Sequence, residues 1–444
     1  MTPILQQGVD FAARFAAAKD RLPGAGLPWL ASAREKASTD FERQGPPRSR
    51  RADWRFTPVD AVLGTDFEPA GRPKSHSGFA GKALCPLTFH RLVLGNGRLL
   101  PERSRYCDLP AGVSVSSLAQ ALQDDPGSLR EDLGRDLSAE GLPFACLAAA
   151  LFGEGVVVRV ARGARLDRPL HLLLACDDTE SGRPQMAHLR LVIILEPGAS
   201  LELIEESLGG GRAPFWTNLL TTVRIGAGAG LKHYRLQREN ALGSQTSATL
   251  VELGRGSRYE SHAFSFGGAL LRADLRVRLA AEGAQCSLNG LCLVRGTETA
   301  DHHTVVEHAA AGGITRELYK AILDERGRFV FDGMVHVKPG AQKTDASLYN
   351  KNLLLCDDAD VHSNPEFRIF ADDVSCKHGG AIGRLSSEAM FYLRSRGIGA
   401  SDARRMLVYA FGSEMIERVS LEPLRESLMA ALHARMPEAA EETA

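Results

Sequence analysis

Short apolar runs separated by turn residues dominate the middle of the chain. Residues 156–160, 170–175, 218–225 and 270–279 are examples, and turns such as Pro197-Gly198-Ala199 separate runs of this kind. Short strands at such regular spacing are typical of an all-β sandwich, barrel or β-helix. The region extends over more than 200 residues without a clean break, and its turn of glycine, alanine and an apolar residue recurs. We therefore predict a β-helix.

The two ends of the chain show the helical period instead. Residues 10–21 carry Phe11 and Phe15 at helical spacing, and residues 114–122 and 143–151 are further helix candidates. Near the other end, Ser386 or Ser387 can cap a helix that stops at Gly397, and a second helix begins at Ser401. The pattern predicts an N-terminal helical domain (residues 1–152), a β-helix core (153–384) and a C-terminal helical domain (385–444).

The charge balance and the cysteines argue against some classes of function and indicate the compartment. The chain has 444 residues, with 53 Lys and Arg against 54 Asp and Glu, so nothing attracts it generally to nucleic acid or to an anionic membrane. No stretch approaches the ~20 apolar residues of a membrane span. The first residues lack the features of a signal peptide, and the eight cysteines show no close pairing. We expect a cytoplasmic protein with reduced thiols.

A cysteine and a histidine two residues apart form the first candidate metal site. In a strand, alternation places Asp372, Val374, Cys376 and His378 on one face. A thiolate and an imidazole on one face can bind iron or zinc. The alternative is that Cys376 packs as a small apolar residue, as free cysteines usually do. The pair lies where a strand passes into helices, which suggests a site at a subunit junction.

A second histidine-rich segment, residues 301–308, also resembles a metal site. Alternation divides it into two faces: His302, Thr304, Val306 and His308 on one, and His303, Val305 and Glu307 on the other. One strand cannot direct all of these side chains at a single metal. We interpret them as polar residues on the coil surface or at a subunit contact.

An enzyme acting on carbohydrate is the main alternative for a β-helix. The acidic pairs Asp357-Asp358 and Asp372-Asp373 offer carboxylates, but adjacent strand residues point to opposite faces, whereas glycosidases need two facing carboxylates. Such an enzyme would also show aromatic platforms, yet aromatic residues make up 6% of the chain. The glycine-rich residues 226–230 lack the Lys-Ser/Thr of a phosphate-binding loop, so we expect no nucleotide bound by this chain itself.

An ordered set of segments runs along the chain: Asp53-Trp54-Arg55-Phe56, Phe331-Asp332-Gly333, residues 336–345, 350–355 and 364–374, Cys376-Lys377-His378-Gly379, Phe391-Tyr392-Leu393-Arg394-Ser395-Arg396-Gly397 and Leu407-Val408-Tyr409-Ala410-Phe411. Together they resemble the SufB/SufD family, whose members are scaffold subunits for iron–sulfur cluster assembly. The Cys376-Lys377-His378-Gly379 form is similar to the SufD branch, because the SufB pattern has an acidic residue directly after the cysteine.

The resemblance implies a mainly β protein: a right-handed parallel β-helix flanked by N-terminal and C-terminal α-helical domains. It implies a non-catalytic scaffold subunit that pairs with SufB, or forms a homodimer without SufB, and has no nucleic-acid or membrane partner. Cys376 and especially His378 would contribute to a transient iron–sulfur cluster shared with SufB. The ABC-type ATPase SufC would dock on the C-terminal helices, with these candidate residues: Phe391, Tyr392, Arg394, Arg396 and Tyr409. A purely structural paralogue that binds SufC but no cluster is the alternative within the family.

Overall fold

The computed structural model describes residues 10–47, 51–74, 82–85, 89–106, 109–138 and 140–436. The helices are α1 (Phe11–Ala18), α2 (Pro28–Gln44), α3 (Asp60–Gly64), α4 (Leu118–Asp124), α5 (Arg130–Leu133), α6 (Pro143–Leu151), α7 (Ser387–Ser395), α8 (Ala400–Ile416) and α9 (Glu422–Arg435).

The strands are β1 (Glu68–Pro69), β2 (His90–Gly95), β3 (Arg98–Leu99), β4 (Val113–Ser117), β5 (Glu154–Val160), β6 (Leu170–Cys176), β7 (Gln185–Leu195), β8 (Ser200–Gly209), β9 (Phe215–Ile225), β10 (Gly230–Arg238), β11 (Gly243–Leu253), β12 (Arg258–Ser265), β13 (Leu270–Leu279), β14 (Gln285–Val294), β15 (Thr299–His308), β16 (Ile314–Leu323), β17 (Arg328–Val337), β18 (Thr344–Leu354), β19 (Asp360–Ile369) and β20 (Val374–Arg384).

Successive strands from β5 to β20 alternate between two sheets, and each pairs in parallel with the strand two places along the chain. The first sheet ends at β19 and the second sheet ends at β20. In the second sheet the strands from β8 onward begin at residues 200, 230, 258, 285, 314, 344 and 374, so one coil takes 27 to 30 residues. The coil lengths vary, which explains why no fixed sequence period is visible. The predicted parallel β-helix is confirmed.

The N-terminal segment contributes strands as well as helices. β2 extends the second sheet next to β6, and β4 pairs antiparallel with β5 at the start of the first sheet. The helix expected over residues 114–122 therefore begins later, at Leu118. The alternation of valine and serine in residues 113–117 suits a strand, and the Ser117 hydroxyl then accepts from the Gln120 amide and caps α4.

Helices cover the outer faces of both sheets. α6 packs over β7, β9 and β11 of the first sheet, and α2 packs on α6, with both helices in the apolar cluster around the buried Trp216. α8 and α9 pack over the second sheet through Val408, Met415, Leu428 and Leu432. In the described residues, β19 pairs only with β17 and β20 only with β18, so the last coil leaves both sheets open at this end.

Candidate metal site at the open end of the β-helix

Cys376 and His378 both lie on the inner face of the last coil. Their register partners on β18 are Ala346 and Leu348, which are buried inside the β-helix. The strand begins at Val374, so Asp372 lies before it rather than in line with the pair. The inner face is enclosed along the body of the β-helix, but no further coil of the described residues covers it here. The thiol and the imidazole therefore lie at the open end of the coil.

The two side chains differ in their surroundings. Cys376 is half-buried and packs against the inner core. Burial raises the pKa of its thiol, a hydrogen bond with the Ala346 backbone partly opposes this effect, and the Asp345 carboxylate adds a smaller upward effect. His378 is exposed, but two groups of β19 contact it. Its Nδ1 lies 3.1 Å from the Pro365 carbonyl oxygen, and its ring stacks on Phe367 with centroids 5.0 Å apart and planes 17° apart.

The rest of the described inner face of the last coil carries no strong iron ligand. On β19, the register with β17 places Val361, Ser363, Pro365 and Phe367 on the inner side. Proteins bind iron mainly through thiolate, imidazole and carboxylate groups. The described part of this face therefore offers one thiol and one imidazole.

The candidate docking residues lie on the outside of the C-terminal helices. α7 buries none of its residues, and Phe391 and Tyr392 are 75% and 54% exposed. Arg394 and Arg396 are exposed beside them, and the Arg396 guanidinium lies 5.0 Å from the centroid of the Tyr392 ring. Tyr409 lies on α8 and donates to the Met429 sulfur of α9 at 3.3 Å. Exposed aromatic rings beside cations are common at protein interfaces.

The interpretation of residues 301–308 as polar residues on the coil surface or at a subunit contact is wrong for His302 and His308. The predicted alternation is present, but His302 and His308 are buried inside the β-helix rather than on its surface. Burial lowers the pKa of His302 to about 3 and that of His308 to about 4. Nearby hydroxyl groups are hydrogen-bond partners: Ser265 lies 3.2 Å from His302, and Thr315 lies 2.8 Å from His308. Both imidazoles are neutral core groups.

The acidic pairs form surface ion pairs. Asp357 contacts Arg384, and Asp373 contacts Lys343. The remaining members, Asp358 and Asp372, are exposed. Surface ion pairing therefore explains two of the four carboxylates, and these two need no catalytic role.

A cluster that the sequence did not indicate lies on the outer face of the second sheet. The buried side chains of Cys85, His171 and Glu206 bring one sulfur, one ring nitrogen and one carboxylate oxygen within 4.8 Å of one another. His171 Nε2 is 3.1 Å from Glu206 Oε2. The three residues come from different segments, so their spacing along the chain does not indicate a common site. The only signal in the sequence is that His171 and Glu206 are polar or charged side chains in mostly buried strands.

Hydrogen bonding opposes metal binding by this cluster. Arg91 Nε donates to His171 Nδ1 at 3.0 Å, so the proton of the neutral imidazole lies on Nε2, facing the carboxylate. Arg238 and the Leu84 amide also donate to Glu206. Burial raises the pKa of Glu206, but these donors and His171 outweigh it and lower the pKa overall. Two guanidinium groups and a protonated Nε2 make this a structural hydrogen-bond network.

Comparison with known proteins agrees with this fold. Residues 177–411 match the family model of the SufBD core domain of the SUF iron–sulfur cluster assembly system, and residues 6–172 match the model of the SufBD N-terminal region. The chain is 32% identical to the iron–sulfur cluster assembly protein SufD of Escherichia coli, over 89% of this chain and 90% of that protein. It is 30% identical to an iron–sulfur cluster assembly SufBD family protein of Synechocystis, over 88% and 87% of the two chains.

The chain belongs to the SufB/SufD family of iron–sulfur cluster assembly proteins. The resemblance carried by residues 331–411 is thereby confirmed. Among the described residues, no helix is both long enough and apolar enough to cross a membrane.

Proposed function

We propose that this chain is a non-catalytic scaffold subunit that pairs with SufB, docks SufC and contributes Cys376 and His378 to a nascent iron–sulfur cluster. One observation carries the proposal: a thiol and an imidazole share the inner face of the only coil that lacks a neighbour at the β20 end of the described β-helix. Both are ligands that iron accepts.

The open coil end suits pairing with another β-helix. Within the described part of the chain, β19 and β20 present unpaired strand edges, which bind other strands unless they are covered. Ile369, Phe370 and Ile382 are exposed at this end, and Phe370 is 60% exposed. A SufB subunit that covered these edges would also enclose Cys376 and His378. A second copy of this chain has the same edges, so a homodimer forms by the same means when SufB is absent.

The ligand count explains why the cluster would be transient and shared. The described inner face of the last coil supplies two protein ligands, and the apolar Ala346 and Leu348 lie beneath them. The remaining ligands must come from the partner or from inorganic sulfide. A cluster bound by two ligands on each side of an interface is released when the subunits separate. This chain then holds the cluster as cargo rather than as a resident cofactor.

The C-terminal helices provide the proposed SufC contact. α8 and α9 are fixed to the second sheet by a large apolar cluster, whereas α7 presents Phe391 and Tyr392 to solvent. Motion of a bound ATPase would therefore reach the β-helix through α8 and α9. The chain has no phosphate-binding loop, so ATP hydrolysis belongs to the partner. The seven described cysteines are free thiols, and we place the complex in the cytoplasm.

The test is reconstitution of the complex with variants of the site. The chain is co-expressed with SufB and SufC of the same host, purified through a tag on this chain, and reconstituted anaerobically with iron and sulfide. We expect all three chains to co-elute and the visible absorption of a cluster to fall several-fold in His378→Ala, and less in Cys376→Ser. His362→Ala is the matched control, because this half-buried histidine lies on the outer side of β19.

The outcomes separate the three functions. A stable complex with an unchanged cluster signal in both His378→Ala and Cys376→Ser supports the structural paralogue. Absence of any complex with SufB or SufC overturns the scaffold proposal and favours the stand-alone enzyme. If His362→Ala lowers the cluster absorption as much as His378→Ala does, the loss reflects a general disturbance of the last coil, and the proposed role of the His378 imidazole fails.

A further inference from the structure

We infer that His378 presents Nε2, and not Nδ1, to its ligand, and that Phe367 is the positioning residue that fixes this orientation. Nε2 is then the ligating atom of His378, and Phe367 is the side chain that supports it. Their relevance to cluster assembly rests on the proposed function. The orientation itself depends only on contacts within this chain.

The hydrogen bond to Pro365 determines which nitrogen is protonated. His378 Nδ1 lies 3.1 Å from the Pro365 carbonyl oxygen, which can only accept a hydrogen bond. The proton of the neutral imidazole is therefore on Nδ1, and the lone pair is on Nε2. Metal-binding histidines commonly donate their second ring nitrogen to a carbonyl or a carboxylate, which fixes the tautomer. His378 makes a contact of this kind through Nδ1.

Phe367 fixes the plane of the ring. The two rings are nearly parallel at 17°, with centroids 5.0 Å apart, and Phe367 is itself partly buried against the inner core. Pro365 and Phe367 are two residues apart on the inner side of β19, so one strand supplies both contacts across the open coil end. An exposed histidine normally samples several rotamers. Holding one rotamer in advance lowers the entropy cost of binding a ligand.

Two half-buried histidines near this end of the β-helix, His336 and His362, also lie against phenylalanine rings. His336 meets Phe370 edge-on, at 65° and 5.4 Å, and its Nδ1 is 4.0 Å from the Glu307 carboxylate. That histidine lacks the carbonyl contact and the parallel stack. His362 stacks on Phe56 with planes 12° apart, but its Nε2 lies 3.2 Å from the Asp360 carboxylate and its ring makes no contact of the Pro365 kind. The combination at His378 therefore is not a general consequence of histidines lying near phenylalanines at this end.

The first test measures the tautomer directly on the purified full-length chain. With ¹⁵N-labelled histidine at pH 8.5, well above the ordinary histidine pKa of ~6.5, long-range ¹H–¹⁵N correlations distinguish the two neutral tautomers, and His378→Gln assigns the signal. We expect the Nδ1–H form in the wild type. Phe367→Leu should give a mixture of tautomers, and Phe367→Tyr, which keeps a planar ring, should retain the wild-type spectrum. An Nε2–H wild type, or a Phe367→Leu spectrum identical to wild type, overturns the inference.

The second test uses the reconstituted complex with SufB and SufC. Phe367→Leu should lower the cluster signal several-fold while all three chains still co-elute, and Phe367→Tyr should restore it. If the tautomer is as inferred but His378→Ala assembles clusters normally, the orientation stands and the proposed function of the site fails. If His378→Ala fails to assemble clusters while Phe367→Leu behaves as wild type in both tests, the proposed function stands and Phe367 has no positioning role.

Discussion

The ring of Tyr319 lies directly against Gly290 inside the β-helix. The two residues are register partners on β16 and β14, and a Cβ atom at position 290 would lie 2.2 Å from Tyr319 Cδ1. Along the same row of the second sheet, Ala263 and then Arg235 follow Gly290. The small residues Gly290 and Ala263 leave the space in which the buried Tyr319 side chain and the half-buried Arg235 side chain interact electrostatically.

Gly290→Ala should therefore destabilise the protein. An added methyl group must displace a fully buried aromatic ring, and overpacking of this kind costs about 1–3 kcal/mol. The free energy of unfolding, measured by denaturant titration, is the readout. Gly230→Ala is the matched control, because nothing lies within 4 Å of a Cβ atom at that strand position. A loss of stability in the control equal to that in Gly290→Ala would contradict the packing argument.

Arg272 joins the N-terminal segment to the β-helix. It forms ion pairs with Asp274 at 2.9 Å and Asp301 at 2.8 Å, donates to the Asp53 carbonyl, and lies 4.2 Å from the Trp54 ring centroid. Although burial alone would raise it, the pKa of Asp301 is held well below its usual range by Arg272. The charged side chains of Arg272, Asp274 and Asp301 are buried, so each charge is stabilised by the opposite charge beside it and not by water.

Arg272→Met should destabilise the chain by about 3–5 kcal/mol, because it leaves two carboxylates without their buried counter-charge. The midpoint of thermal unfolding and the free energy of unfolding are the measurements. Arg278→Met tests the same change on the same strand where the side chain is mostly exposed and pairs with Glu307. That control should change stability by less than about 1 kcal/mol. Similar effects of both changes would refute the role of burial.

Glu317 should make stability decrease as the pH rises toward neutrality. Burial raises its pKa from 4.5 to about 7, against a smaller opposing effect of the hydrogen bond from Thr304. Between these two values the unfolded chain releases the proton while the folded chain keeps it, so the free energy of unfolding falls by up to about 3 kcal/mol. Unfolding titrations from pH 4.5 to pH 8 measure this slope.

The variant Glu317→Gln removes that titration and keeps an acceptor for Thr304. We expect a flatter dependence of stability on pH, with the largest gain over wild type above pH 7. Part of the slope should remain, because burial also raises the pKa of Glu239 to about 7. Glu239→Gln should remove this remaining part, and the exposed Glu252→Gln serves as the control. A Glu317→Gln curve parallel to wild type would show that Glu317 is ionised in the folded state at neutral pH.

The sequence predicted the β-helix because each strand is a local apolar run bounded by turn residues. It also predicted that Cys376 and His378 share a face, since the strand period of two fixes this locally. It could not predict which residues lie next to His378, because Pro365 and Phe367 reach it through the coil geometry and not through spacing. The Cys85, His171 and Glu206 cluster was missed for the same reason. The strand at residues 113–117 was predicted as part of a helix, although its valine and serine residues alternate as in a strand and pair with β5.

The two exposed aromatic residues Phe391 and Phe370 provide a reciprocal test of the proposed partner surfaces. Phe391 lies on α7 and Phe370 follows β19 at the open coil end, and burial in the folded chain is small for both. Phe391→Ser should weaken co-purification of SufC by at least tenfold and leave SufB bound, because exposed aromatic anchors dominate interface energies. Phe370→Ser should weaken SufB binding and leave SufC bound. The thermal unfolding midpoint of the isolated chain should change little in either variant, which shows that both still fold. If both variants lose the same partner, the assignment of two separate surfaces is contradicted.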